Sequence, residues 1–325
     1  MYLPEQDVRL AGYSALIHAY QLQVPLPRIL AAISHKTTNY EKDRWKMFSP
    51  RYLPKCTLFA HITFALKYEG VDLFILKALF SVISTEEIIR IVKLEPTSAY
   101  SRRIWFLYEW LLNIKIDLPD AITGNFVNVL DERLQFPGPV RMSRRHRVRN
   151  NLPGVPGFCP IIYKTNKISK FLEMNLSEHV KKLIGQIHKD VLMRAAAFML
   201  LKDSKASFAI EGETPSPTRA ERWAQTIGQA AFYPLSHEEF LRLQELIIAD
   251  FRFVHYGYRN EGGFIGEHER GSGLPIPDHI SARYQDIMSL MNSLIQTNQL
   301  LKESDIDPVV AAAVISFGFV FIHPY

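Results

Sequence analysis

Residues 137–170 contain no acidic residue but eight Lys or Arg, five Pro and three Gly. Proline lacks the amide that a helix interior needs, and glycine loses most entropy on ordering, so no continuous helix crosses this stretch. A basic, helix-free segment in the middle of a 325-residue chain divides it into two parts of domain size. The expected organisation is a domain over 1–136, a connector over 137–165 and a second domain over 166–325. The net charge of +5 is then uneven, because this one stretch carries +8 and the rest of the chain −3. Hydrophobic residues at 47% and charged residues at 22% provide for a sizeable core, and exclude a disordered or coiled-coil chain. Cys56 and Cys159 stand 103 positions apart, which excludes a disulfide scaffold or a zinc site and suits a reduced, cytoplasmic setting.

The N-terminus, MYLPEQDVRLAGYSAL, places charges where a signal peptide needs an apolar core. The longest apolar run, residues 309–322, has 14 residues, whereas a bilayer needs about 20. A buried core helix and no membrane partner are expected.

Helix signals dominate both halves, and the expected class is mainly α. Ser84 with Glu87 forms a capping box for a helix to about Lys93, and Thr97 opens another ending near Asn113. No strand-like alternation competes over residues 1–130. In the second half, Ser177 opens a helix with Val180, Leu183, Ile184, Ile187 and Val191 on one face. Ser236 and Glu239 form a second capping box. Residues 251–266, FRFVHYGYRNEGGFIG, alternate aromatic and polar residues around Asn260-Glu261-Gly262-Gly263 and read as a hairpin. A helix over about 279–301 follows, with Ile280, Tyr284, Ile287, Met288, Met291, Leu294 and Ile295 in register. Asp307 as N-cap with Pro308 at the first helical position opens the last one.

The signatures of P-loop, dinucleotide-binding, serine-hydrolase and zinc-protease sites are absent. His268 between Glu267 and Glu269 reads as a solvated turn, since adjacent residues point apart. Three patterns remain. In Ser207-Phe-Ala-Ile-Glu211-Gly212, Gly212 ends a helix in the left-handed cap position. Glu211 in that last turn opposes the helix dipole, which implies a specific partner for the carboxylate. The second pattern is the hairpin edge Phe264, Ile265 and Gly266, able to accept a peptide by strand addition. The third is the terminal FVFIHPY, where His323 follows an apolar helix whose last carbonyls have no visible cap.

In this order the three patterns resemble the Fic family (filamentation induced by cyclic AMP) of protein nucleotidyl transferases. FVFIHPY resembles the opening of the family motif His-Pro-Phe-x-Asp/Glu-Gly-Asn-Gly-Arg-x-x-Arg, with Tyr325 in the Phe position. SFAIEG is similar to the family's inhibitory helix motif, Ser/Thr-x-x-x-Glu-Gly/Asn, and its position before the His motif suggests the class with an N-terminal inhibitory helix. The resemblance covers roughly residues 165–325. It implies a helical N-terminal domain followed by a Fic-like helical core with one β-hairpin flap. It implies AMP transfer from ATP, with Mg2+, to a Tyr, Thr or Ser hydroxyl of a protein target, the chain itself among the candidates. His323 is implied as the general base, a role that suits an imidazole titrating near neutral pH. Glu211, with Ser207, is implied to hold the motif's second arginine away from the ATP γ-phosphate. Phe264, Ile265 and Gly266 are implied to dock the target. The acidic residue, glycine loop and arginines of the motif would follow Tyr325, so the chain is expected to be cut inside the motif and inactive as it stands. Two alternatives remain open. One is an inactive Fic-like scaffold. The other is a nucleic-acid-binding module using Arg141, Arg144, Arg145, Arg147 and Arg149, although only Phe136 and Phe158 flank that cluster for base stacking.

Overall fold

The computed structural model describes residues 7–185, 187–210, 212, 214, 216–230, 232–248 and 256–325. Two units divide it, one running through Lys164 with Leu300–Ile306, the other Thr165–Gln299 with Asp307–Tyr325. Helices predominate, with small sheets.

In the first unit, β1 (Arg9–Leu10), α1 (Tyr13–Ala19), β2 (Leu30–Ile33), β3 (Tyr40–Lys42) and β4 (Trp45–Phe48) come first. The strands form a sheet of order β1-β2-β4-β3, in which only β2 and β4 are parallel. These strands correct the all-helical expectation for 1–130. β2 is Leu-Ala-Ala-Ile, buried at every position, so it lacks the alternation that marks a half-exposed strand. Leu30, Ala32, Trp45 and Met47 pack on one face, and Ala31, Ile33, Phe48 and Phe64 on the other.

Four helices follow: α2 (Leu58–Tyr68), α3 (Leu73–Val82), α4 (Thr85–Leu94) and α5 (Ala99–Leu112). Ser84 caps α4 by accepting from the Glu87 amide at 3.3 Å, as its capping box predicts. Asn113 closes α5 in the left-handed conformation. Residues 101–108 of α5 are buried on every side, so this helix is the centre of the unit. It packs on α2, α3 and α4 and on a second sheet, made of β5 (Val127–Asn128), β6 (Arg141–Ser143) and β7 (Val148–Asn150) in the order β5-β7-β6.

That second sheet lies where a connector is expected. Residues 137–164 fold within the first unit, and Val148 and Leu152 are fully buried in its core. Buried side-chain amides replace the backbone pairing that the prolines cannot make. Asn151 accepts from the Leu130 amide at 2.8 Å, and Gln135 exchanges bonds of 3.0 and 2.8 Å with the backbone of Val71.

The second unit holds α6 (Asn166–Glu173), α7 (Leu176–Ile184), α8 (Lys189–Ile210), α9 (Pro217–Gly228) and α10 (His237–Ile248). It continues with β8 (Phe264–His268), β9 (Pro275–Ile280), α11 (Ile287–Lys302) and α12 (Pro308–Ile322). The helix expected to run on from Ser177 breaks at its Gly185 C-cap, and Val180, Leu183, Ile184, Ile187 and Val191 stand exposed. The Ser236 cap on α10 and the Asp307–Pro308 start of α12 form as the sequence predicts. The hairpin is displaced. Its strands are β8 and β9, paired antiparallel from Phe264↔Ile280 to His268↔Pro275, so the turn is 269–274 and not 260–263. Gly273 at φ 69° supplies the left-handed turn residue, whereas Gly262 sits in open space. Residues 251–255 of the expected hairpin lie outside the described residues. Ile280 accordingly belongs to β9, and α11 begins only at Ile287. α12 buries one stripe, Val310, Val314, Gly318 and Ile322, while Val309, Phe317, Val320 and Phe321 are exposed, so it is not the wholly buried helix its composition suggests.

Candidate functional site at the end of the last helix

α12 ends at His323, which takes the left-handed C-cap conformation (φ 49°, ψ 67°) and donates its amide to Phe319 O at 2.9 Å. The carbonyls that follow are capped, contrary to expectation, by one arginine. Arg259 Nε donates to His323 O at 2.7 Å and Nη2 to Ile322 O at 3.3 Å. Its backbone amide donates to Pro324 O at 2.8 Å. The same guanidinium reaches both ends of the hairpin, with Nη1 on Glu261 O at 2.7 Å and Nη2 on Ala282 O. Burial lowers the Arg259 pKa, and its donors are spent on carbonyls.

Further bonds tie the hairpin to the same segment. His279 Nε2 lies 3.2 Å from Phe321 O, and the two rings pack at 5.6 Å. The Ser281 amide closes the hairpin base on Gly263 O at 3.1 Å. Tyr325 packs its ring on Tyr258 and Phe319, at 5.7 and 5.9 Å. Burial pushes the Tyr325 phenol up, and its buried hydroxyl has no hydrogen-bond partner among the described residues. Tyr258 hydrogen-bonds His237 Nδ1 at 2.7 Å, and His237 Nε2 meets Asn292 Oδ1 at 2.8 Å. An amide oxygen only accepts, so Nε2 carries the hydrogen and the Tyr258 hydroxyl donates to Nδ1. Burial first, then the Glu238 charge, raises Tyr258 to about 12.

Of the residues singled out in the sequence, His323, Phe264, Ile265 and Gly266 therefore belong to one connected group. Phe264 is half-buried against His268, at 5.2 Å between rings, and Ile265 is 42% exposed. Gly266 marks a bulge at φ 150°, where an added Cβ would lie 2.3 Å from Ile276 O. Ser207 is exposed on α8 and donates to Asp203 O at 3.0 Å, a bond inside its own helix. Glu211 lies outside the described residues. Gly212 at φ 72° takes the expected cap conformation after α8. Sequence reasoning missed Arg259, His237 and Tyr258; an arginine directly before the Asn-Glu-Gly-Gly element was the available signal.

Three of the five arginines of the basic cluster are engaged within their own unit, while Arg144 and Arg149 are exposed. Arg145 pairs with Glu109 at 2.8 Å and Asp120 at 2.9 Å. Arg147 donates to Gly124 O and Ile122 O, and Arg141 to Gly154 O at 3.2 Å. Donors spent on carbonyls and carboxylates do not reach phosphates, which weakens the case for a nucleic-acid interface. A cavity of about 220 Å³ in the first unit is lined by Val71, Asp72, Leu73, Phe74, Cys159, Ile161 and Tyr163. Burial pushes its Cys159 thiol up to about 12, which removes it as a nucleophile. Among the described residues, no helix is long and apolar enough to cross a membrane. No family model, no curated protein and no solved structure matches this chain.

Proposed function

We propose that the second unit is of the Fic protein nucleotidyl transferase type, with His323 as the base that deprotonates a target hydroxyl for attack on the α-phosphate of ATP. The observation that carries this is the Arg259 staple, which joins both ends of the hairpin to the Ile322-His323-Pro324 segment. A flap must hold its target strand beside the base, and a staple of this kind keeps the two in register. The β8–β9 pair leaves strand edges open for an extended peptide. Ser207 and Glu211 supply the inhibitory helix of this reading. ATP is the substrate. Among the described residues no three metal-ligating side chains converge, so no residue here is assigned to Mg2+ and no step is routed through it.

Two experiments test this. The 325 residues hold His-Pro-Tyr and no glycine loop or arginine pair of the family motif. Calorimetric titration of this chain with Mg-ATP is therefore expected to show binding weaker than about 1 mM, because no amide cradle holds the phosphates. Micromolar binding would place the nucleotide site elsewhere and remove His323 from it. In a chain that continues through the motif, Glu211→Gly is expected to raise transfer of label from α-labelled ATP, and His323→Ala to abolish it. Label unchanged by Glu211→Gly in an active chain would sink the inhibitory role.

The flap has its own test in that longer chain. Phe264→Asp with Ile265→Asp is expected to cut target modification while ATP binding and the melting transition persist, since one residue is exposed and the other half-buried. Collapse of the melting transition would make them core residues instead.

A further inference from the structure

The arginine-rich hairpin, which the proposed function leaves unused, encloses a second constellation within the first unit. Ser143 ends β6, an edge strand, and His146 follows in the turn to β7. Ser143 Oγ lies 2.7 Å from His146 Nδ1, and His146 Nε2 lies 2.9 Å from Glu109 Oε2. Glu109 reaches in from α5 and is held by the Trp105 indole at 2.9 Å, the Ile116 amide at 3.0 Å and Arg145 at 2.8 Å.

The tautomer follows from these partners. Burial alone would raise the Glu109 pKa, but the donors on it, Arg145 foremost, bring it down to about 2. An ionised carboxylate only accepts, so His146 Nε2 carries the hydrogen. Nδ1 is then the lone-pair nitrogen, and the Ser143 hydroxyl donates to it. The His146 ring packs edge-on against Trp105 at 4.6 Å and Phe106 at 5.5 Å, while Ser143 stays half-exposed. The backbone amides of Arg144, Arg145 and His146 donate to no carbonyl among the described residues. Arg141, on the same strand face as Ser143, and Arg144 beside it are both exposed.

We propose that Ser143 is a nucleophile for acyl transfer from carboxylic esters, with His146 as its general base and Glu109 orienting the imidazole. In the first step Ser143 Oγ bonds to the acyl carbon, its proton passes to His146 Nδ1, and the carbonyl π pair moves to oxygen. The oxyanion forms beside the unpaired turn amides. Its collapse breaks the C–O bond to the alcohol, which leaves with the proton from Nδ1. Water then repeats the sequence on the acyl-serine, releasing the acid, so ester and water give acid and alcohol. The exposed Arg144 favours an ester that carries an anionic group. The inference stands apart from the Fic reading, because it concerns the first unit and needs no nucleotide.

The 325-residue chain is the material for the test. A fluorophosphonate probe, which loses fluoride as Ser Oγ bonds to phosphorus, is expected to label one peptide, that containing Ser143. Ser143→Ala is expected to lose the label and the hydrolysis of an anionic 4-nitrophenyl ester, with its melting transition unchanged. Ser143→Cys is the second variant. Its thiol, beside the imidazole, is expected to react with iodoacetamide roughly tenfold or more faster than the exposed Cys56. The proposal is overturned if folded chain takes up no label at Ser143, if Ser143→Ala labels equally, or if the introduced thiol is no faster than Cys56.

Discussion

Replacing Glu109 by Leu is expected to destabilise the first unit by about 3–5 kcal/mol, the usual cost of removing one partner from a buried charge cluster. Only 9% of the Glu109 side chain is exposed, with 14% of Arg145 and 7% of His146. The carboxylate joins three chain segments. Trp105 and Ile116 bind it from α5 and the loop that follows, and Arg145 and His146 from the β6–β7 turn. Without it Arg145 keeps the Leu118 and Ile116 carbonyls but, as a counter-charge among the described residues, only Asp120, which is 65% exposed, and the indole and the Ile116 amide lose their acceptor. The same cluster sets an acid sensitivity. Glu109 titrates at about 2 in the folded chain, below its ordinary 4.5, so its contribution is full above about 4.5 and is lost as pH falls through 2. His146 is held neutral by burial and lowered to about 4. The unfolded chain takes up that proton first, so stability also declines from about pH 6.5 down to 4. Urea denaturation of both proteins from neutral to acid pH checks this. Equal unfolding midpoints for the variant and the parent at neutral pH would show the cluster to be dispensable.

Glu69→Gln is expected to act in the opposite pH direction. Gly12, at φ 60°, opens the start of α1, and an added Cβ there would lie 1.7 Å from Glu69 Oε2. Through that gap Glu69 accepts from the Tyr13 amide at 3.0 Å, capping α1 from the far end of α2. Its other oxygen, Oε1, is sealed from solvent and has no hydrogen-bond partner among the described residues. Burial, with the Asp72 charge adding to it, raises this carboxyl to about 8. A raised carboxyl pKa means that folding holds a proton which the unfolded chain releases, so stability falls as pH rises from about 4.5 to 8. Gln keeps the acceptor and has no proton to lose. The variant is expected to match the parent near pH 5 and to exceed it above pH 8 by on the order of 3 kcal/mol. The denaturant midpoints at the two pH values are the measurement. A variant less stable than the parent at alkaline pH would mean that the carboxylate is ionised and paired.

Local signals were legible in the sequence because the interactions behind them span three or four residues. Ser84 with Glu87, Ser236 with Glu239, and Asp307 with Pro308 each placed a helix start, since a cap needs only its own first turn. The mainly helical character followed from these. The hairpin was legible as a kind but not in its register. Both Gly262-Gly263 and Gly271-Ser272-Gly273 satisfy turn chemistry, and only the pairing of Phe264 with Ile280 selects between them.

What the sequence determined alone is thus the helix starts at Ser84, Ser236 and Asp307, the uneven charge, and the three ordered patterns that carry the Fic resemblance. The tertiary structure decided where the charge goes and what the proline-rich stretch becomes. Arg145 looked free until Glu109, 36 residues earlier, was brought to it. Residues 137–164 looked like a tether until Val148 and Leu152 were buried beneath α5. β2 carried no alternation because both of its faces are covered. Arg259 reaches His323 across 64 positions. The physical reason is common to these cases. A buried donor or charge must find a partner, but the rule names no distance along the chain, so composition shows the demand and only the folded backbone supplies the acceptor.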